Sequence, residues 1–513
     1  MKSLIPKKIF SGNVNKALLV LNVIMAFVYI GWWFLPGHIG NPSLYAVLFI
    51  GEIYHLFMAI TFWMTIWPNN KRIRKAPIQP ETFYPSVDVY ITVAGEPLDI
   101  IRQTINAAKN IDYKAKKIYV LNDNLVIKDD NWKDVERLAK ELKVNCITRT
   151  VAGGAKAGNI NHALTKTKGE IVVIFDADMK PYPEFLKRTL PYFVDRKVGF
   201  VQTPQYYTNH ATNEVSQGSW EQQSLFFGPI MQGKDRWNAA FICGTNVAIR
   251  RTALVEVGGM CEDNIAEDFL TSLSIHQNGW KSHYIRDVLS EGLAPEDMLS
   301  YYKQQLRWAR GSLEVLFGSN PLFKKGLSWG QKMQYLSSGL FYLNGIVVLI
   351  DITMPIVFLF FGLEPVSTTT MTFAIFFIPF MFLNLYTLYI ASGKDVTFKA
   401  ISFSQSSWAL QLTALFSVLM NQKMTFVVTP KQAQEGNFLF LAYPHLAYIF
   451  IAVLATIVGI YNYGLNSSVS TNVAWILFNI LLFIPFINAS YKWNKLFDTF
   501  LPKKLPLASQ DNT

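Results

Sequence analysis

The sequence predicts an α/β domain of the Rossmann-like type inserted between transmembrane α-helices. Three observations support this fold class. The chain has 513 residues, of which 51% are hydrophobic, and long apolar blocks lie towards both ends. Between these blocks, short apolar runs alternate with amphipathic segments. Within that central stretch, acidic residues directly follow apolar runs, as at the ligand-binding edge of a parallel sheet.

The amino-terminal region, residues 1–67, is predicted to be a transmembrane hairpin. Its apolar blocks at 17–35 and 44–67 are each long enough to cross a hydrocarbon core of about 30 Å. The first block has no small-x-small cleavage site before Pro36 and Gly37, and a second block follows almost at once. We therefore expect the first block to be a retained span and not a signal peptide.

Residues 68–327 are predicted to form the α/β domain. Candidate strands at 87–93, 117–121, 145–150 and 171–175 are separated by helical patterns such as 98–108 and 132–142. This alternation predicts a mainly parallel sheet. The three cysteines, an odd number, all lie in this stretch and indicate a reducing compartment without a disulfide framework: Cys146, Cys243 and Cys261.

Residues 328–513 are predicted to form a channel region of four further spans, which gives six in all. The four apolar blocks cover 340–362, 371–391, 441–463 and 473–491. Two further segments, 295–317 and 396–420, mix apolar with polar or aromatic residues, as expected for amphipathic helices at the membrane interface. These segments are expected to couple the α/β domain to the spans.

The net charge of +11 is read as positive-inside bias and not as nucleic-acid binding. Lys and Arg cluster beside the apolar blocks, whereas the predicted outer loops 37–43, 363–370 and 464–472 contain neither residue. This distribution predicts a multi-pass protein of the plasma (inner) membrane, with both termini and the α/β domain on the cytosolic side.

Asp176 and Asp178 form a D-x-D string directly after the apolar run 171–175. Two carboxylates at this spacing can hold Mg²⁺ or Mn²⁺ bridged to a diphosphate, although D-x-D is also common on solvated turns. The preceding glycine-rich string around Lys156 favours a nucleotide or phosphate ligand. Asp123, just beyond the second predicted strand, is expected to bind the nucleoside, with a simple turn aspartate as the alternative.

Asp268 is the candidate general base, in the string Ala266-Glu267-Asp268 before an amphipathic run. Acidic residues also favour helix amino termini for electrostatic reasons alone. Gln304, Arg307 and Trp308 would share one helical face, where the arginine can bind a diphosphate and the tryptophan can stack on a sugar. Membrane anchoring is the alternative for the last two.

Other residues carry weaker predictions. Cys243 is either core filling or part of the lining of an acceptor channel. Ionisable residues inside predicted spans either face a polar pathway or lie near span ends: Glu52, His55 and Asp351.

These strings together resemble the catalytic subunit of bacterial cellulose synthases, within the processive family-2 glycosyltransferases. The resemblance covers about residues 87–431. It rests on an ordered set of motifs: Gly154-Ala-Lys-Ala-Gly-Asn159, Asp176-Ala-Asp178, Val201-Gln-Thr-Pro204, Phe241-Ile-Cys-Gly-Thr245, Ala266-Glu-Asp268, Gly292-Leu-Ala-Pro295, Gln304-x-x-Arg-Trp308 and, as a gating loop within 421–437, Phe426-x-Val428-Thr429-x-Lys431.

The resemblance implies a GT-A domain and a role for each matched residue. Asp123 and Lys156 would contact the uridine portion, Asp176 the nucleotide, and Asp178 the metal. Asp268 would be the base, and Trp308 would stack on the acceptor. The remaining implied ligands are Gln304 and Arg307 for the diphosphate, with Glu96 also placed at the donor and Cys243 and Glu267 at the acceptor.

The resemblance implies an inverting enzyme that polymerises UDP-glucose into a β-glucan and passes it through the membrane. Three positions depart from the family pattern: Ala266, Asn122 and Met179. The six predicted spans are also fewer than the eight of the best-known bacterial cellulose synthases, and no cyclic-di-GMP-binding domain is visible in the sequence. Three alternatives remain: synthesis of another β-polymer from UDP-N-acetylglucosamine or another UDP-sugar, single transfer to a polyprenyl phosphate, and a membrane protein that only senses nucleotide sugars.

Overall fold

The structure is a computed structural model. The structure describes residues 12–35, 37–68, 77, 80, 82–394, 396–422, 434 and 436–491. Two apolar helices come first, α1 (Lys16–Trp33) and α2 (Pro42–Ile66). Each begins where an asparagine side chain accepts a hydrogen bond from a backbone N–H of the first turn, Asn15 for α1 and Asn41 for α2. The predicted helical hairpin is therefore present.

Among the described residues between α2 and the next apolar helices, there are nine strands and ten α-helices. The strands are β1 (Val87–Val93), β2 (Lys116–Asn122), β3 (Asn145–Thr148), β4 (Ile171–Asp176), β5 (Lys180–Pro181), β6 (Val198–Gln202), β7 (Val247–Arg250), β8 (Lys281–Tyr284) and β9 (Ser290–Glu291). The helices are α3 (Leu98–Lys109), α4 (Trp132–Glu141), α5 (Ala155–Lys166), α6 (Phe185–Thr189), α7 (Glu214–Leu225), α8 (Met231–Arg236), α9 (Arg251–Glu256), α10 (Glu267–Gln277), α11 (Met298–Gly318) and α12 (Trp329–Leu340).

Seven of the strands form one twisted sheet in the order β3-β2-β1-β4-β7-β6-β8. The first four in this order are parallel, and only β7 runs antiparallel to its neighbours. β1 is buried at every position because helices cover both faces of the sheet. One face packs against α3 and α4, and the other packs against α5.

The predicted mainly parallel sheet is confirmed, with small shifts at strand ends. The strand predicted at 145–150 ends at Thr148, and Arg149 turns inward to an ion pair described below. Strands β6, β7 and β8 were not predicted. Their runs of four or five residues resemble other short buried segments, and only their long-range pairing shows that they are strands.

Six helices follow: α13 (Asn344–Phe361), α14 (Thr370–Ala391), α15 (Phe398–Ser406), α16 (Trp408–Leu419), α17 (Tyr443–Tyr463) and α18 (Ser467–Ser490). Within the described residues, six helical segments are long and apolar enough to cross a membrane, as predicted. The third is longer than the predicted 340–362 because α12 runs directly into α13, giving Trp329–Phe361. The sixth begins before the predicted 473, where Asn466 caps α18.

The segment predicted to couple the domain to the spans forms α15 and α16. α15 packs against both α7 of the domain and the span α18. Thr397, which caps α15, donates a hydrogen bond to Glu221 of α7, and Lys399 Nζ lies 2.9 Å from Gln217 Oε1. Deeper among the spans, His55 Nε2 lies 3.4 Å from Asp351 Oδ2 and joins α2 to α13.

Candidate active site

The candidate active site lies at the carboxyl edge of the parallel strands. In the sheet, Thr92 of β1 pairs with Leu121 of β2 on one side and with Asp176 of β4 on the other. The loops that follow these strands therefore leave from one edge and carry Glu96, Asp123 and the D-x-D turn. Glu96 Oε2 accepts a hydrogen bond of 2.6 Å from the backbone N–H of Ala94, which closes the first loop.

Asp123 is buried and held by an arginine. Arg149 Nε and Nη2 donate to the two carboxylate oxygens of Asp123 at 2.8 and 2.7 Å. Arg149 also donates to the carbonyls of Gly153 and Ala155, at the start of α5. A bidentate guanidinium thus fixes the orientation of the carboxylate and ties it to the glycine-rich loop.

The glycine-rich loop places Lys156 against the D-x-D turn. Gly154 precedes α5 with φ +62°, a conformation that favours glycine. Lys156 Nζ forms an ion pair with Asp176 and donates a hydrogen bond of 2.8 Å to the carbonyl of Gly244. The Asp176 backbone N–H donates to Thr245 Oγ1 at 2.9 Å. The strings around residues 156, 176 and 244 therefore meet in space.

The D-x-D turn also packs on the Gly292 motif. A Cβ atom built on Gly292 would lie 2.1 Å from Met179 Sδ and 3.3 Å from the Asp178 carbonyl oxygen, so a larger residue would collide with the Met179 side chain and crowd that carbonyl. Gly292 also forms an isolated β-bridge with Tyr207. Asp178 itself is only 5% exposed. The close approach of the Gly292 backbone therefore sets the positions of Asp178 and Met179, which follow β4.

Tyr207 connects the D-x-D turn to α11. Burial, followed by the negative charges of Asp178 and Asp176, raises the pKa of its hydroxyl, while Arg307 and a hydrogen bond from Gln304 act in the opposite direction. Two aspartates of the D-x-D turn and two residues of α11 thus all influence the hydroxyl group of Tyr207. Gln304 is buried, and its Oε1 has no hydrogen-bond partner among the described residues.

Asp268 lies in the first turn of α10 and faces the same cleft. A Cβ atom built on Gly244 would lie 3.4 Å from Asp268 Oδ2 and 3.7 Å from Lys156 Nζ. Gly244 has φ +77°, and the absence of a side chain there keeps the space between these two groups open. The carboxylate of Asp268 also accepts a 2.7 Å hydrogen bond from the Phe269 N–H.

The electrostatics around Asp268 suit a base. Surrounding protein atoms desolvate its carboxyl group and raise its pKa, while Lys156 and Arg307 favour the charged form. The neighbouring Glu267 has its pKa raised by burial and by the charge of Asp268. Both side chains keep partial contact with solvent, as expected at the floor of a narrow cleft. Burial also raises the pKa of the Cys243 thiol, which stays neutral beside Asp268.

Gln304, Arg307 and Trp308 share one face of α11, as predicted, and Trp308 is half-buried. The predicted gating-loop residues lie outside the described residues: Phe426, Val428, Thr429 and Lys431. The nearest described residues on either side of this segment are Gln422 and Gln434, which contact α11 and its N-cap residue Asp297. Arg310 donates to the Gln422 carbonyl, and the Gln434 N–H donates to Asp297 Oδ2 at 3.1 Å.

The two carboxylates of the D-x-D turn are suitable ligands for a divalent cation that also binds a diphosphate. Among the described residues, no group of three or more His, Cys, Asp or Glu side chains is placed to hold a metal ion. Mg²⁺ in nucleotide sites commonly takes one or two protein carboxylates, with phosphate and water oxygens completing the shell. Asp176 and Asp178 therefore fit as ligands of a shared ion and not of an all-protein metal cage.

Two residues of the site were not predicted from the sequence. Arg149 forms the ion pair with Asp123. Its signal was an arginine near the end of the strand predicted at 145–150, since a buried charge requires a partner. Tyr207 lies between the D-x-D turn and α11, and no local sequence pattern singles it out.

Comparisons with known proteins agree with this site. A family model described as "Glycosyltransferase like family 2" matches residues 85–311, and one described as "Cellulose synthase" matches residues 255–454. In solved structures, the chain is similar to a mannosyltransferase, PcManGT from Pyrobaculum calidifontis, in complex with GDP-Man and Mn²⁺. That match has a TM-score of 0.51 and 18% identity, and it covers 74% of this chain and 100% of that chain.

Two relatives illustrate the sequence similarity. "Cellulose synthase 2" of Novacetimonas hansenii is 31% identical over 463 residues, covering 87% of this chain and 29% of that protein. The UDP-forming cellulose synthase catalytic subunit of Pseudomonas fluorescens (strain SBW25) is 29% identical over 505 residues, covering 93% and 67%. The chain thus spans less than a third of the length of the first of these relatives.

The sheet and these comparisons show a glycosyltransferase with a GT-A fold, and residues 85–311 match the family-2 glycosyltransferase model. Among the described residues, six helices that are long and apolar enough to cross a membrane flank that fold, and the chain is a multi-pass membrane protein. Over most of its length, the chain is similar in sequence to bacterial cellulose synthases.

Proposed function

We propose that the protein is a membrane-embedded, processive, inverting glycosyltransferase that polymerises UDP-glucose into a β-glucan and moves it across the plasma membrane. The observation that carries this proposal is the convergence of three distant strings on one cleft. Lys156 bridges Asp176 and the Gly244 carbonyl, while Asp268 lies across Gly244 from Lys156. A metal-diphosphate site beside a desolvated carboxylate base is the arrangement that sugar transfer from a nucleotide requires.

The donor would lie along the carboxyl edge of the sheet. Asp123, oriented by Arg149, would bind the nucleoside, and Glu96 lies in the neighbouring loop. Lys156 would contact the nucleotide, while Gln304 and Arg307 would bind the diphosphate from α11. The buried Oε1 of Gln304, which has no partner among the described residues, would gain one from the bound donor.

Asp176 and Asp178 would hold a Mg²⁺ or Mn²⁺ ion together with the donor diphosphate. The ion would neutralise charge on the departing diphosphate. Arg307 would do the same, because its charge and the charges of both aspartates all act on Tyr207. The chain would thereby bind the leaving group from two directions and leave the sugar facing α10.

Asp268 would accept the proton of an acceptor hydroxyl as that hydroxyl attacks the anomeric carbon. Attack from the face opposite the diphosphate would convert a UDP-α-sugar into a β-linkage. Trp308 would stack on the terminal sugar of the acceptor, and Cys243 and Glu267 would line the same end of the cleft. The raised pKa of Asp268 makes its carboxylate a stronger base than an exposed aspartate.

The membrane arrangement follows the charge distribution and the helix order. We propose a hairpin at 1–67, the GT-A domain at 68–327 and a channel region at 328–513, with a gating loop at 421–437. From the Lys and Arg bias, the domain and both termini would lie in the cytosol. α12 leads from the domain directly into the third span, so the product would leave the site beside the membrane helices.

The test uses the purified full-length protein in lipid nanodiscs, incubated with labelled UDP-glucose and Mg²⁺ or Mn²⁺. The proposal expects a high-molecular-weight β-glucan and no polymer from the Asp268→Asn variant. A lipid-linked monosaccharide without polymer would contradict processive synthesis, and incorporation only from UDP-N-acetylglucosamine would contradict the proposed sugar. UDP binding without turnover in the wild-type protein would indicate a sensor.

A further inference from the structure

We propose that Tyr335 is a positioning residue that holds the helix of the base, α10, against α12, the helix that enters the membrane. The inference rests on the proposed function, in which Asp268 is the base. Tyr335 does not reach the cleft itself. It acts on Asp268 through the two ends of α10.

A single buried side chain of α12 contacts α10 near both of its ends. The Tyr335 ring packs edge-on against Phe269 with ring centroids 5.1 Å apart, and its hydroxyl lies 2.6 Å from His276 Nδ1. Phe269 directly follows Asp268, and His276 lies about two helical turns further along. Tyr335 is 1% exposed. The position and tilt of the helix that carries Asp268 are therefore set from α12.

His276 connects this contact to the sheet. Its Nε2 lies 2.9 Å from Ser282 Oγ in β8, and the imidazole is 1% exposed. Burial lowers the pKa of His276 to about 3, so the ring is neutral and binds the two hydroxyl groups without an ion pair. The carboxyl end of α10 is thus held between α12 and β8.

α12 is in turn fastened to the second membrane span. Gln334, next to Tyr335, donates a hydrogen bond of 2.8 Å to Thr65 Oγ1 of α2, and Lys234 donates to the Gln334 carbonyl. A continuous set of contacts therefore leads from Asp268 through α10 and Tyr335 to α2. We infer that the register of the base relative to the membrane helices depends on the Tyr335 hydroxyl.

Tyr335→Phe is the smallest change that tests this inference, because it removes the hydroxyl and keeps the ring. Its matched control is Tyr284→Phe, since Tyr284 is also buried but donates its hydroxyl to the backbone carbonyl of Phe227 and not to a residue of α10. Both variants are measured as full-length protein in nanodiscs by UDP release from UDP-glucose and by the Kd for UDP.

Tyr335→Phe should lower kcat about tenfold. Its KM and its Kd for UDP should stay within about twofold of the wild-type values, because a small displacement of a catalytic group slows the chemical step without weakening donor binding. Tyr284→Phe should keep its kcat. His276→Phe should lower kcat as Tyr335→Phe does, and the double variant should be no slower than the slower single variant, because both changes remove the same bond. His276→Gln, whose amide can still bond to the hydroxyl, should regain part of the rate.

A folded Tyr335→Phe protein with wild-type kcat would overturn the inference. So would equal losses of kcat in Tyr335→Phe and Tyr284→Phe, additive effects in the double variant, or no recovery in His276→Gln. Asp268→Asn in the same assay separates the two claims. If Asp268→Asn turns over, the proposed function and this inference both fail, whereas an inactive Asp268→Asn beside a fully active Tyr335→Phe refutes only the positioning role.

Discussion

Replacing Arg149 with Met should strongly destabilise the α/β domain, because it leaves the Asp123 carboxylate buried without its counter-ion. Both side chains of the pair are 6% exposed, and the guanidinium donates to both carboxylate oxygens. Breaking such a buried pair by removing one partner costs about 3–5 kcal/mol. The loss of the hydrogen bonds to the carbonyls of Gly153 and Ala155 acts in the same direction.

The free energy of unfolding of the domain can be measured by pulse proteolysis of the purified protein in urea. A double variant, Arg149→Met with Asp123→Asn, should regain a large part of the loss, because no buried charge then remains unpaired. Arg102→Met is the matched control, since Arg102 forms the same type of pair with Glu141 at the surface. It should change the free energy little, because solvent screens exposed pairs.

The reasoning is refuted if Arg149→Met costs no more than Arg102→Met. It is also refuted if the double variant is as unstable as Arg149→Met alone, because the cost would then come from lost packing and not from an unpaired carboxylate.

Three further predictions concern the cleft. As pH falls, turnover should be lost at a pH above the ordinary pKa range of an aspartate. The reason is that burial raises the pKa of Asp268, and only the deprotonated carboxylate can accept the proton. The pH profile of kcat measures this loss. Gly244→Ala should lower kcat at least tenfold, because its methyl group would occupy the open space between Asp268 and Lys156. Gly258→Ala, with a similar φ of +86° and no atom within 4 Å of the added Cβ, should cost only backbone strain of about 1–2 kcal/mol and keep kcat. Gly292→Ala should weaken UDP binding in the presence of Mn²⁺ because its Cβ would collide with Met179, and adding Met179→Ala should restore the affinity measured by calorimetry.

The sequence predicted the parallel half of the sheet well because its strands are strong local signals. β1 matches the prediction at both ends, since an unbroken buried run of seven residues is bounded by Pro85 and Gly95. β7 could not be found in this way. Its place between β4 and β6, antiparallel to both, depends on contacts with residues more than 40 positions away.

The site shows the same division between local and long-range information. The D-x-D and Glu-Asp strings were visible because carboxylates next to apolar runs stand out locally. Their meeting around Gly244 depends on the fold, and so do the partners of Asp123 and the location of Tyr207. The length of the third span was underestimated because α12 is amphipathic and packs on the domain before it continues as an apolar helix.

The central claim is that Asp176 and Asp178 bind a metal-diphosphate unit while Asp268, more than 80 residues away in the chain, acts on the same substrate as the base. Two measurements test it directly. Electron paramagnetic resonance monitors the binding of Mn²⁺ in the presence of UDP, and a second assay measures the turnover of UDP-glucose. The account predicts that Asp178→Asn loses both signals and that Asp268→Asn keeps bound Mn²⁺ but loses turnover. Retained UDP-dependent Mn²⁺ binding in Asp178→Asn, or retained turnover in Asp268→Asn, would contradict it.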